Sequence, residues 1–302
     1  MAGLFSFARY LYLKVLVAFS RGLLKLLAPS PRPTPDKVLE IPSRDKDRTI
    51  QTHIYKTSPD GADDSTPAPV LINLYGSGFA LPFHGTDDKF CRLIAETTGH
   101  VVLDVNYRLA PEHPFPAPLN DVEDVLKYIL DRPDEYHPSR VSISGFSSGG
   151  TLALATCTVL PRDTFRSLIA FYPATNLHQN PSLRKAPVPG GKERSAFWTR
   201  IFRESYIRGM DARDPRISPA FADTTGFPDT VLVVTGELDE SAVEAEELAL
   251  KARDTAGARK REVVVQRMKG CGHAFDKNIT GKVKVSATNE SYDLAAQILK
   301  RA

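Results

Sequence analysis

The chain has 302 residues, 42% of them apolar, enough for one large domain with its own core. Its 39 basic and 36 acidic residues leave a net charge of +3 with no extended basic patch, which argues against a nucleic-acid partner. Three scattered cysteines, Cys91, Cys157 and Cys271, read as reduced intracellular thiols, and no CxxC or HExxH spacing points to a metal.

Met1 to Leu27 is apolar-rich but interrupted by Arg9, Lys14, Arg21 and Lys25. At 100° per residue these cations share one side of a helix, with Leu4, Phe7, Leu11, Val15 and Leu26 largely opposite. Four charges argue against a membrane-spanning helix, and no uninterrupted apolar run ends in a small-residue cleavage site. Two readings remain: a cap helix folded over the core, which is favoured, or a basic helix lying on a membrane surface. The expected location is cytoplasmic, with peripheral membrane contact through residues 1–27 as the second reading. Ala28 to Pro35, with four prolines, reads as a stiff linker. Residues 1–35 are thus set apart from a main domain over 36–302.

Lys37 to Ile41 and Arg48 to Lys56 read as an antiparallel strand pair, and Ser58 to Pro69 as a polar loop. Apolar runs near 70–75, 101–107, 140–145, 167–172, 230–235 and 262–267 follow. They alternate with helical stretches near 86–98, 118–131, 148–160, 241–256 and 285–300. This alternation implies an α/β fold: a mostly parallel eight-stranded sheet with helices on both faces. Leu177 to Phe227 breaks the pattern. Its helical part, Ser195 to Arg208, carries Trp198, Ile201, Phe202 and Tyr206 near one face. An insertion of this length near 177–227 suggests a lid in which Trp198 contacts a pocket, against simple packing on the core.

Gly145-Phe146-Ser147-Ser148-Gly149 sits directly between a strand and a helix. So tight a bend strains its central residue and projects the Ser147 hydroxyl from the sheet edge, which makes Ser147 the candidate nucleophile. Such a serine needs a base, an orienting acid and an oxyanion site. Gly270-Cys271-Gly272-His273 follows the strand Glu262 to Arg267, a setting that none of the other six histidines has. His273 is therefore the base. The apolar run Thr230 to Thr235 ends in Gly236-Glu237-Leu238-Asp239-Glu240, where Asp239 is the chosen acid and Glu237 the second choice. Serine, acid and histidine follow one another in the chain order of α/β-hydrolases. Val70 to Leu74 leads into Tyr75-Gly76-Ser77-Gly78-Phe79, a turn that can supply two N–H donors, with the Ser148 N–H as a third.

The chain resembles the hormone-sensitive-lipase-like family of α/β-hydrolases (the fold-3 group), most of all its fungal or microbial carboxylesterases. Asn106 to Ala117 is close to the family signature YRLAPE-x-x-FPA. Asp214-Pro215-Arg216-Ile217-Ser218-Pro219 is similar to its DPxxSP stretch, and Gly272-His273-Ala274-Phe275 to its histidine loop. The likeness covers roughly residues 68–280. It implies an α/β-hydrolase fold with a helical cap, hydrolysis of small soluble esters through an acyl-enzyme on Ser147, and no cofactor or metal. By motif position the oxyanion donors fall on Ser77 and Gly78, and Phe79 and Trp198 are expected to line the pocket. Arg108 and Glu112 read as structural. Two departures stand out: Tyr75-Gly76-Ser77-Gly78 replaces His-Gly-Gly-Gly, and Asp239-Glu240-Ser241 replaces Asp-Pro-Leu. Amide or lactam hydrolysis, acyl transfer, and a non-catalytic receptor remain alternatives. The natural substrate and the oligomeric state are left open.

Overall fold

The period-2 alternation of the strands decides the architecture, because the central strands bury both of their faces. In β3 (Ala68–Leu74), Val70, Ile72 and Leu74 join one apolar cluster, while Leu71 joins another on the opposite side. The first cluster takes in α3 (Ala117–Leu130), α4 (Ser148–Val159) and α6 (Ala242–Asp254); the second takes in α2 (Asp88–Thr98) and α7 (Gly281–Arg301). Two helical layers thus enclose one sheet, as expected. The computed structural model describes residues 2–27, 31–57, 66–191, 193–255 and 260–301, with the side chains of 2–6 excepted. Part of the expected linker (28–30), most of the loop expected over 58–69, and residue 256 at the expected helix end lie outside the described residues, as does the side chain of Leu4.

Among the described residues the sheet has eight strands in the order β1-β2-β4-β3-β5-β6-β7-β8. Its remaining members are β1 (Lys37–Pro42), β2 (Thr49–Tyr55), β4 (Val101–Val105), β5 (Tyr136–Phe146), β6 (Ser167–Phe171), β7 (Thr230–Gly236) and β8 (Glu262–Met268). β1 and β2 pair antiparallel, β2 pairs antiparallel with β4, and all later pairings are parallel. The carboxyl ends of β3, β5, β7 and β8 therefore open on one edge, where loops converge. α4, buried from Ser148 to Cys157, runs through the middle of its layer, apolar on every side. Cys91, Cys157 and Cys271 are all buried and unpaired.

α1 (Ala2–Leu27) packs on α5 (Ala196–Ile207), the helix of the segment between β6 and β7. The contact differs from the apolar stripe seen in the sequence. Leu13 and Val17 are buried against Ala80 and Ile201, whereas Phe7, Leu11, Val15 and Leu26 are exposed. Arg21 explains the choice of face. Its guanidinium turns inward and donates to the carbonyls of Ala80 (2.9 Å) and Ala110 (2.8 Å) and to Glu112 (3.1 Å). A cation so satisfied fits an interface, and it carries its side of the helix inward. In the same region Arg108 bonds the buried Asp121, so both charged residues of the signature hold loops together.

Gly149 tests the tightness of this framework. A Cβ there would lie 2.0 Å from the Leu74 carbonyl oxygen, a backbone atom of the central strand. Gly149→Ala is expected to destabilise the protein by about 3 kcal/mol or more through overpacking. Urea denaturation checks this; an unchanged midpoint would contradict the account of the β3–α4 contact.

Candidate active site

β5 ends at Phe146 and α4 begins at Ser148, so the whole change of direction falls on Ser147. Its φ of +51° is in the left-handed region, unusual for a residue with a side chain and costing of order 1–3 kcal/mol. The Ser147 N–H donates to the Phe171 carbonyl at 2.9 Å, which pins the bend to the neighbouring strand β6. Its Oγ lies 2.8 Å from His273 Nε2, and His273 Nδ1 lies 2.8 Å from Asp239 Oδ2. The structure thus joins the three residues in one hydrogen-bonded chain, with Asp239 reached from the end of β7 and His273 from the loop after β8.

Asp239 is almost fully buried. Burial pushes its carboxyl upward, but His273, the Arg194 guanidinium and the Ser241 N–H together bring it down to about 2. It is ionised at neutral pH, which sets Nδ1 of His273 as the protonated nitrogen and leaves the Nε2 lone pair for the serine. Glu237, the other carboxylate considered, accepts instead from the Gly270 N–H at 2.8 Å and braces the turn leading to the histidine.

The histidine loop is anchored from below. Phe275 is buried, and the adjacent Asp276 accepts from the hydroxyls of Tyr172 (2.5 Å) and Tyr292 (2.7 Å). Lys277 reaches Asp87 (2.7 Å) and Asp276 (2.9 Å). Burial pushes the Lys277 ammonium down, yet these two carboxylates hold it well above the usual lysine value. The Tyr172 ring meets His273 edge-on, centroids 5.0 Å apart.

In the glycine turn, the Ser77 N–H donates to Ser148 Oγ at 2.8 Å, so one of the two predicted turn donors is engaged within the protein. A row of hydroxyls continues from there: Ser148 Oγ to Ser77 Oγ (3.2 Å), to Tyr107 (2.8 Å), which donates to the Tyr75 carbonyl (2.6 Å). Tyr75, in the place of the family histidine, is buried and stacks on Tyr107 with centroids 4.5 Å apart. At Gly78, φ is +56° and a Cβ would press on the Phe202 ring at 3.2 Å, so glycine lets α5 lie close over the turn.

Ser147 and His273 lie in the wall of a cavity of about 440 Å³ that is otherwise mainly apolar. Phe79 and Trp198 line it, as do Gly78 and Ser148. Non-glycine residues of positive φ gather here: Phe79, Ser147, Tyr172 and Ala274 all face the cavity, so backbone strain is concentrated at the site. Sequence reasoning missed Arg194. Its Nη1 stands 3.2 Å from His273 Nε2, while Nε bonds Glu240 (3.0 Å) and Nη2 bonds Ser241 Oγ (2.5 Å). The signal was faint: an arginine in a Gly- and Pro-rich stretch, paired with an acid next to Asp239. Lys277 also went unread, although the charged pair Asp276-Lys277 directly follows the buried Phe275.

The model of the alpha/beta hydrolase fold matches residues 71–277 of the chain. The carboxylic ester hydrolase LipN of Mycobacterium tuberculosis is 30% identical over 226 residues, 68% of this chain and 57% of that protein. A versiconal hemiacetal acetate esterase of Dothistroma septosporum is 31% identical over 165 residues, 52% of this chain and 48% of its own length. The chain thus spans about half the length of the curated relatives it matches. Among solved structures, an esterase from Pyrobaculum calidifontis superposes with a TM-score of 0.75 at 28% identity, covering 96% of this chain and 93% of that one. On fold, signature segments and relatives together, the chain belongs to the hormone-sensitive-lipase-like family of α/β-hydrolases.

Proposed function

We propose that this protein hydrolyses carboxylic esters of small, relatively soluble substrates through an acyl-enzyme on Ser147. The observation that carries the reading is the chain of two 2.8 Å hydrogen bonds from Ser147 through His273 to a buried Asp239 in the wall of an apolar cavity. Relatives named as esterases support it. In the first half-reaction His273 Nε2 takes the Ser147 proton as Oγ attacks the ester carbonyl. The oxyanion forms at the N-terminus of α4, where the Gly78 and Ser148 amides face it and the Ser77 amide joins once the Ser148 hydroxyl turns away. His273 then protonates the departing alcohol. Water, deprotonated by the same nitrogen, releases the acid. Arg194 Nη1 competes with Ser147 for the Nε2 lone pair until a bound substrate displaces it.

Exposed apolar residues on α1 bear on location. Phe7, Leu11, Val15, Phe19, Leu23 and Leu26 follow one another around the solvent side of the helix, with Val15 66% and Leu26 84% exposed. The helix holds no acidic residue, and Lys14 and Lys25 lie along one edge of this face. Among the described residues no helix is long and apolar enough to cross a membrane. An apolar face edged by lysines suits the surface of an anionic membrane, such as a cytoplasmic leaflet, with α5 and the cavity held beneath.

Ser147→Ala is expected to lower p-nitrophenyl ester hydrolysis by about 10³-fold or more with the fold intact by circular dichroism. Across a p-nitrophenyl series from acetate to palmitate, rates should peak at short acyl chains. No turnover of any ester would overturn the enzymatic reading, and a peak at palmitate would overturn the small-substrate part. Asp239 is held below its ordinary 3.8, so its stabilising effect is complete above about pH 4 and lost as pH falls toward 2. Acid unfolding of Asp239→Asn should show a weaker dependence over that window than the unmodified protein; identical curves would count against an ionised Asp239. In co-sedimentation, vesicles of phosphatidylcholine with phosphatidylserine should retain the protein and lose it in high salt or on Val15→Asp. No retention, or a concentration-dependent dimer that Val15→Asp dissolves, would refute the membrane reading.

A further inference from the structure

Behind the lining of the cavity, three potential metal ligands converge from separate elements. His53 on β2 and Asp104 on β4 are direct partners in the antiparallel pair, so their side chains share a face of the sheet. His84, in the turn before α2, stacks on His53 with ring centroids 4.0 Å apart. Its Nε2 lies 3.0 Å from the Asp104 carbonyl oxygen and 3.3 Å from Oδ2 of the same residue. One ring nitrogen of each histidine and one carboxylate oxygen of Asp104 all lie within 4.8 Å of one another.

Two observations set this cluster apart from an ordinary polar contact. Asp104 is fully buried and His53 only 9% exposed, yet His53 Nδ1 and Asp104 Oδ2, near His84 Nε2 but not hydrogen-bonded to it, have no hydrogen-bond partner. Buried polar atoms left unsatisfied in this way are costly, and they call for a partner. Its acidic neighbours are also better partnered. Asp87, Asp104 and Asp276 are buried on this side of the sheet, and the ammonium of Lys277 forms ion pairs with Asp87 and Asp276. Asn73 donates at 2.9 Å to both Asp87 and Asp104, which fixes the Asp104 side chain in place.

We propose that His53, His84 and Asp104 form a binding site for a divalent transition-metal ion of the zinc type. Two imidazoles and one carboxylate match the borderline N/O preference of such an ion and leave a fourth position for water. The ion supplies a partner for both orphaned atoms. The site is structural: it joins the β2–β4 pair to the turn ahead of α2, and through Asn73 and Asp87 it abuts the Lys277 anchor of the histidine loop. It does not depend on the esterase reading.

Titration of metal-stripped protein with Co²⁺ and then Zn²⁺ tests the proposal. One Co²⁺ per chain with the visible absorption of a tetrahedral N/O site, displaced by one Zn²⁺ in calorimetry, is the expected result. His53→Ala and His84→Ala should each lower Zn²⁺ affinity by at least about tenfold and abolish the zinc-dependent rise in thermal midpoint. Absence of a visible cobalt band in the unmodified protein overturns the site whether or not the variants fold. So does metal uptake that both variants leave unchanged.

Discussion

The bend at Ser147 is the constraint on which the site depends. A residue with a side chain is held at φ +51° because β5 arrives and α4 departs within a single position, and the Phe171 carbonyl holds its N–H. Gly149 lets the start of α4 lie against Leu74 of the central strand. The strain is sustained by the buried sheet and by a helix apolar on all sides, so the local cost is met by packing far larger than itself.

The partners of Ser147 are held by a second, polar layer. Asp239 is kept ionised by His273, Arg194 and the Ser241 N–H, and the loop that carries His273 rests on Asp276, Lys277, Tyr172 and Tyr292. Burial makes such a network demanding: each carboxylate needs its donors, and losing one leaves a charge uncompensated. The same logic explains Arg194, whose charge is met by Glu240 while one of its nitrogens faces the histidine. In the proposed mechanism the protein therefore supplies fixed dipoles and one mobile proton around the ester carbonyl.

Much of the fold was legible in the sequence because buried strands and helices leave strong periodicities. Val70 to Leu74 and Thr230 to Thr235 could hardly be anything but interior strands, and Ser147, Asp239 and His273 each sit just past one. What was not legible came from long-range geometry. The insertion of β4 between β2 and β3 leaves no local trace. α1 exposes the stripe at Phe7, Leu11 and Val15 because Arg21 finds carbonyl and carboxylate partners inside the interface. The engagement of the Ser77 amide by the Ser148 hydroxyl depends on two segments meeting at the sheet edge. The meeting of His53, His84 and Asp104 was hidden for a similar reason: no spacing motif connects a strand, a turn and another strand.

The central claim is that Ser147 is a nucleophile activated by His273. Incubation with a serine-directed fluorophosphonate, followed by peptide mass mapping, tests it most directly. The account predicts a single adduct on the peptide containing Ser147, formed far more slowly in His273→Ala. An adduct confined to another serine, or none on the folded protein, would contradict it.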